Sequence, residues 1–368
     1  MRRGVFFLVL FSVAAPVFAA HPVNVKQLAQ RLAALRSKSD TDAANAIGEL
    51  QLTERLSGAR LQDLEDALPG DKSRQVLLAV ADASGFLPPP RAEIPVRPAP
   101  DLTEQKHMME LVVGYVKDAI PRLPSFQATR VSRQFEDTPQ VLTVNERSPY
   151  QPLHYLATEI SAVTYRNGVE TVAAAAWPGA GNAPQGLKSW GAFGPVLGVV
   201  LLDAMQSHME WDRWEQGPDG VLAVFRYSVP KASSHYEVNY CCVPEVSDMR
   251  NHPALPFRQA PAYHGEIAVD PATGTIRRLM VQADLKASDP VVQAGILVEY
   301  GSIEIEGKPY ECPVHSVSVT LAQSLWMPPG YRSPNPYMLR PLKTSISDIA
   351  FRDYHAFQAP PQVPNTDR

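Results

Sequence analysis

The chain of 368 residues holds only three cysteines, Cys241, Cys242 and Cys312, which excludes a multi-bridge disulfide framework and leaves room for one intramolecular bond. Runs of like charge are also missing. The 34 basic and 38 acidic residues are interspersed and sum to −4, so the electrostatic footprint of a nucleic-acid binder is absent and no nucleic-acid partner is expected. Long apolar runs are scarce. The first, Val5 to Phe18, has about 14 residues, short of the roughly 20 that span a bilayer, and no later stretch is long enough and free enough of charge.

Recognisable catalytic constellations are lacking as well. No Gly-x-Ser-x-Gly elbow is present to strain and expose a nucleophilic serine. Ser228-Val229-Pro230-Lys231 matches Ser-x-x-Lys, but it lies where a strand meets a turn instead of opening a helix. No His-Glu-x-x-His pair places two imidazoles on one helical face, and Gly179-Ala180-Gly181 precedes no helix opening with a lysine and serine, so its glycines read as a flexible loop. His208, Glu210 and Asp212 form the densest ligand-like cluster; beside Trp211 and Trp214 they read as the polar end of a helix, with an unrecognised hydrolase as the third-ranked reading. His264, Glu266 and His355 serve as ligands only if the fold gathers them, and Glu304 and Glu306 read as an exposed strand face. The expectation is a protein that is not an enzyme, with no cofactor and no metal.

Proline, by contrast, is abundant: 35 residues, about twice the usual share. Six fall between Leu87 and Pro100 without hydrophobic periodicity, the composition of an extended spacer. Others gather between 328 and 341 and from Pro360 onward, so proline marks boundaries and not general disorder.

Arg2 and Arg3, the apolar run and Val17-Phe18-Ala19 have the order of a secretory signal, read as residues 1–20. With no cysteine near the cleavage point, a lipid anchor is not expected, and the protein is expected to be periplasmic or secreted. Removing Arg2 and Arg3 takes the formal charge from −4 to −6.

Residues 21–86 read as a small helical domain. Asn24 can cap a helix whose Val25, Leu28, Leu32 and Leu35 form one stripe. Leu61, Leu64 and Leu68 continue the pattern, Pro69-Gly70 interrupts it, and Asp71 opens a last helix. Residues 87–100 form the linker. Within 101–358, Asp101-Leu102-Thr103-Glu104 predicts a capping box and a helix ended by Pro121. Period-two alternation then predicts nine or ten strands, mostly antiparallel. Among them are a hairpin of Val221–Val229 with Tyr236–Cys242, an Asp270–Gly274 turn, a hairpin turning at Glu306-Gly307-Lys308, and a last strand near Ile346–Phe357. Val196–Met209 reads as an apolar helix buried against the sheet, and residues 359–368 as a disordered tail.

The fold class is therefore α+β: a large curved antiparallel sheet, a half-barrel, covered by helices and preceded by the helical segment. Phe225, Tyr227, Tyr236, Tyr240, Leu201 and Met205 are the candidates for lining a ligand cavity between sheet and apolar helix; close packing of the same residues without a cavity is the alternative. Cys242 shares the phase of Tyr240, and Cys312 that of Tyr310 and Val314. Strand phase thus favours a Cys242–Cys312 bridge, with Cys241 as the other partner available; a Cys241–Cys242 bond is disfavoured by strain.

The helix from Thr103 to Ile120 leading into Ser125-Phe126-Gln127-Ala128, the run Gly265–Arg278 containing Asp270-Pro271-Ala272-Thr273-Gly274, and Val298–Ile303 with Ile305–Tyr310 and Cys312-Pro313-Val314 resemble the outer-membrane lipoprotein carrier superfamily. The resemblance spans about 100–357 and rests on turn-and-strand patterns; it matches none of the carriers' functional residues to a position here. It implies an exported half-barrel with helices over its concave face, binding a lipid or lipoprotein acyl chain. The other expectation is a structural or interaction module in which the helical segment engages an envelope protein partner.

Overall fold

The computed structural model describes residues 21–119, 122–139, 141–142, 147–148, 150–166, 169–173, 186–187, 195–244, 254–324 and 341–357. Residues 1–20, expected from sequence to be a secretory signal, Gly179–Gly181, most of the proline-rich stretch 328–341 and residues 359–368 lie outside them.

The first part of the chain builds its own apolar cluster. β1 (His21–Val23) runs into α1 (Val25–Leu35), where Asn24 and Gln27 cap reciprocally: the Asn24 carbonyl oxygen accepts from Gln27 N at 2.8 Å and the Gln27 side chain accepts from Asn24 N at 2.9 Å. α2 (Asp40–Gly48) is capped by Ser39, and β2 (Leu50–Leu52) pairs in parallel with β1. After α3 (Gly58–Glu65) comes α4 (Asp71–Ala83), whose first amides Lys72 N and Ser73 N donate to Asp40 at 3.1 and 2.9 Å. The parallel strand pair is a departure from an all-helical reading of residues 21–86, and its register brings Val23 opposite Leu52. Leu28, Leu32, Ile47, Leu77 and Val80 are buried together.

The proline-rich segment lies along the body of the protein. Arg55 N donates to Pro88 O at 2.8 Å, Trp214 Nε1 donates to Pro98 O at 2.8 Å, and the Arg97 guanidinium covers the Trp214 ring. α5 (Leu102–Ala119) follows, with Asp101 Oδ1 accepting from Glu104 N at 2.9 Å.

The main body is one antiparallel sheet of ten strands, not closed on itself. It takes β3 (Phe126–Thr138), β6 (Gln151–Arg166) and β7 (Val169–Val172) from the first half of the chain. Between them β4 (Val141–Leu142) and β5 (Arg147–Ser148) form a separate pair. A third sheet holds β8 (Gly186–Leu187), β11 (Val238–Pro244) and β12 (Ala254–Gln259), and α6 (Pro195–Met205) precedes β9 (His208–Gln216). β10 (Val221–Val229), β13 (Tyr263–Val269), β14 (Ile276–Ala283), β15 (Val291–Ile305), β16 (Lys308–Gln323) and β17 (Leu342–Ala356) complete the large sheet. Its order is β7-β6-β3-β17-β16-β15-β14-β13-β10-β9.

The sheet has two unlike faces. On one, Phe225, Tyr227, Ile267, Leu279 and Val298 pack beneath Met108 and Val112 of α5, Val200, Leu201 and Ala204 of α6, and Val238 and Tyr240 of β11. On the other, Phe135, Val317, Val319 and Ile346 pack beneath Leu78 and Ala79 of α4. Strands covered on both sides explain why Leu279-Met280-Val281 and Ile296-Leu297-Val298 are continuously apolar.

Three local expectations are corrected. Val221–Val229 and Tyr236–Cys242 do not form a hairpin: β10 pairs with β9 and β13, while β11 pairs with β8 and β12. The short 3-10 turn Lys231–Ser233 lifts the chain off the large sheet, and alternation within β11 serves to bury Val238 and Tyr240 against that sheet from above. His208, Glu210 and Asp212 stand on an edge strand and not at a helix end. Cys242 and Cys312 do not pair. Cys241 and Cys242 are bonded to each other, and Cys312 is a free, buried thiol packed with Phe126, Tyr165 and Ile349. β11 and β16 belong to different sheets, so matching strand phase does not bring Cys242 and Cys312 together.

Asp203, the one charge in α6, is 1 % exposed and accepts from His235 N at 2.8 Å and Tyr263 OH at 2.9 Å, fastening the helix to the segment beneath it.

At Gly265 an added Cβ would stand 1.8 Å from Met280 O of the neighbouring strand. Gly265→Ala is expected to cost about 3 kcal/mol, at the upper end of overpacking penalties. At Gly114, inside α5 and with nothing within 4 Å, alanine is expected to stabilise by about 1 kcal/mol. Urea unfolding of the two variants checks both signs.

Candidate functional site

A cleft of about 490 Å³ opens between the α3–α4 part of the chain and the second face of the sheet. Its walls are largely apolar, with Leu56, Ala59 and Leu61 on one side and Leu222, Leu297 and Val317 on the other. Its floor is charged: Arg55, Asp82, Glu215, Arg278, Glu299 and His315 all line it.

The floor belongs to a stripe that crosses the sheet almost perpendicular to its strands. Antiparallel register places Arg278 opposite Glu299, Glu299 opposite His315, and Arg133 opposite Asp348. Arg213 and Glu215 on β9 and Glu266 on β13 extend the same row. Signs largely alternate along it: Glu299–His315, His315–Asp348 and Arg133–Asp348 meet on adjacent strands, while Arg278–Glu215 and Arg213–Glu266 reach across intervening ones.

At one end Glu215, 2 % exposed, gathers three guanidiniums. Arg278 donates to both of its oxygens at 2.7 and 3.0 Å, Arg213 Nη2 donates at 2.8 Å, and Arg55 reaches in from the loop after β2. Arg213 also forks onto Glu266 at 2.8 and 2.7 Å, and the Asp212 carboxylate, beside a register shift in β9, accepts from Arg213 and Arg226. Burial opposes ionisation of Glu215, but Arg278 and Arg55 outweigh it and hold the carboxyl well below its ordinary value. Burial, then the nearby Arg278 charge, pulls Arg55 the other way, down from its usual value.

At the other end stands His315. Its Nδ1 lies 3.1 Å from Glu299 Oε2 and its Nε2 lies 2.7 Å from Asp348 Oδ2, while Arg133 Nη1 donates to Asp348 Oδ1 at 2.9 Å. Asp82 of α4 closes the group from above, its Oδ1 4.0 Å from His315 Nε2. Burial would favour a neutral imidazole, but the flanking carboxylates of Asp348 and Glu299 raise His315 well above its ordinary value. Burial, with repulsion from Asp348, raises Asp82 well above the carboxylate range. Among the described residues, Asp82, His315 and Asp348 are one group of three that could hold a metal ion, one ligand atom from each lying within 4.8 Å of the others.

The residues expected from sequence to line a ligand cavity lie elsewhere. Phe225, Tyr227, Tyr236, Tyr240 and Leu201 are brought together as parts of the apolar core on the first face, and Met205 stands outside it, 56 % exposed. Tyr227 OH donates to Met280 O at 2.6 Å, and the Tyr236 and Tyr263 rings lie 5.3 Å apart. His208 pairs with Glu210 at 3.3 Å in the open, whereas Asp212 is engaged by arginines. His264 contacts Asp284, His355 contacts Gln127, and Glu266 belongs to the stripe, so these three do not converge.

Sequence reasoning missed the stripe. Its signal was a lone charge beside a two-faced apolar run, as with Arg278 before Leu279-Met280-Val281 and Glu299 after Ile296-Leu297-Val298. A charged residue continuing a strand buried on both faces is itself forced inward and needs a partner.

No family model, no curated protein and no solved structure matches the chain.

Glu215→Gln leaves three guanidiniums without their central anion and is expected to destabilise the fold by about 3–5 kcal/mol. Because the folded-state value of Glu215 is depressed, its stabilisation is complete above the unfolded value of about 4.3 and declines as pH falls below it toward the folded value. Urea unfolding from pH 7 to 2 should show this part of the acid slope in the parent chain and not in Glu215→Gln.

Proposed function

We propose that the protein is an exported, non-enzymatic binder of a lipid or lipid-like amphiphile. The observation that carries this reading is the chemistry of the cleft: apolar walls of Leu56, Leu61, Leu222, Leu297 and Val317 above a charged floor in which Arg55 and Arg278 stand among Asp82, Glu215, Glu299 and His315. Such a seat suits a ligand with an apolar body and an anionic head. Ligand sites are commonly apolar concavities with a few convergent polar groups. Two buried donors in this floor, Arg55 Nη1 and Arg278 Nε, have no hydrogen-bond partner, and a bound head group would supply one.

Export is supported by Arg2-Arg3, the apolar run and Val17-Phe18-Ala19, and the Cys241–Cys242 bond suits an oxidising compartment. No described helix is long and apolar enough to cross a membrane. The resemblance to lipoprotein carriers is consistent with an envelope role; two of its runs fall on β13–β14 and β15–β16, at the centre of the sheet, and the other on α5 and the start of β3. In this reading the ten-stranded sheet is a half-barrel helmed by α5 and α6 on one face, and the ligand enters from the other.

Native mass spectrometry of the purified protein, with uptake of a fluorescent fatty acid, tests the proposal. The expected result is a bound amphiphile that Ala59→Trp, at the exposed cleft wall, reduces by tenfold or more and Met205→Trp, on the exposed side of α6, leaves unchanged. Absence of both bound lipid and uptake would sink it; loss with Met205→Trp alone would move the seat to the α6 side.

A further inference from the structure

We propose that Asp82, His315 and Asp348 bind one divalent transition-metal ion at the end of the charged stripe, with Glu299 orienting the imidazole. The site stands independently of what the apolar walls of the cleft hold.

Four observations carry it. The three ligand atoms already converge within 4.8 Å of one another, from α4, β16 and β17, and two of the separations are 2.7 and 4.0 Å. Around an ion with bonds of about 2.0–2.2 Å, neighbouring ligand atoms stand roughly 3–4 Å apart, so small side-chain shifts suffice. Second, Asp82 is 4 % exposed and its Oδ2 has no hydrogen-bond partner. An orphaned carboxylate oxygen in this position is a cost that a cation removes.

Third, the imidazole has the outer contact that metal-binding histidines use. Glu299 Oε2 lies 3.1 Å from His315 Nδ1, which with Nδ1 protonated leaves the Nε2 lone pair facing Asp348 and Asp82. Fourth, the charges balance. Asp82, Asp348 and Glu299 bring three negative charges and Arg133 one positive; with a neutral imidazole the group is two charges short, the deficit a divalent ion fills.

One nitrogen and two carboxylate oxygens suit Zn²⁺ or Mn²⁺ better than a soft-thiolate metal. Asp82, Glu299 and His315 line the cleft, so water or a ligand group has access to complete the coordination sphere. The ion would tie α4 to β16 and β17, clamping the helical part of the chain over the sheet.

The test is isothermal titration of the full purified chain, stripped with chelator, with Zn²⁺ and then Mn²⁺. One saturable site per chain is expected. Asp82→Asn and His315→Gln are each expected to weaken binding at least 100-fold, and Glu299→Gln 10–100-fold, the usual effect of losing an outer-shell partner. His208→Ala, at the exposed pair on β9, should leave the site intact. As these substitutions touch buried groups, Co²⁺ added to the unaltered chain gives a second readout: visible d–d absorption, displaced by Zn²⁺, indicates a low-coordinate nitrogen–oxygen site. Lack of saturable binding in the parent chain, binding that survives both Asp82→Asn and His315→Gln, or binding abolished by His208→Ala would each overturn the assignment.

Discussion

Three guanidiniums, from a loop near the start of the chain, an edge strand and a central strand, converge on the carboxylate of Glu215, which is almost wholly withdrawn from water. Isolated, any of these charges would be prohibitively costly to bury. Together they fix where the N-terminal helices sit, because Arg55 satisfies its charge only with α3 and α4 lying over this face of the sheet. Arg55 N also bonds Pro88 O, and Trp214, one residue before Glu215, holds Pro98 O. The proline-rich stretch is thus held to the same corner, and the cleft is the space left between these attachments.

The two faces of the sheet solve burial in different ways. The first uses side-chain volume: aromatic rings of β10, β11 and β13 pack under α5 and α6, and Asp203, the buried charge of α6, is satisfied by His235 and Tyr263. The second uses paired charge between apolar patches. A charged row cannot close-pack against an apolar helix without leaving polar atoms orphaned, and Asp82 Oδ2, Arg55 Nη1 and Arg278 Nε are such atoms. On that face, unmet hydrogen-bonding capacity faces a cleft.

Local signals were the legible part of the fold. Asn24 and Asp101 cap the helices they precede; Asp270 Oδ1 accepts from Ala272 N at 2.8 Å in its turn; and Gly274, with φ of +73°, meets the α5 backbone closely enough to exclude a side chain. The β15–β16 hairpin turns at Glu306-Gly307, where both residues have positive φ. The caps and turns depend on residues within a few positions of one another, whereas the approach of Gly274 to α5 is a tertiary contact. The misreadings were of another kind: the period-two pattern of Tyr236, Val238 and Tyr240 was sound, but it could not state which sheet the strand joins, and Cys242 was consequently assigned to the wrong partner.

Sequence alone determined the alternation of the strands, the caps, the tight turns and the mixed helix-and-sheet class, because those follow from backbone sterics and side-chain period. Only the tertiary structure decided that Cys241 bonds its neighbour, that β11 lies over the sheet instead of in it, and that Arg55 and Asp82 descend onto a row formed by Glu215, Arg278, Glu299, His315 and Asp348. Those residues are separated by up to 293 positions, from Arg55 to Asp348. Their meeting depends on strand register and on which helix covers which face, and a single charged residue carries no local mark of the partner across the sheet that will neutralise it.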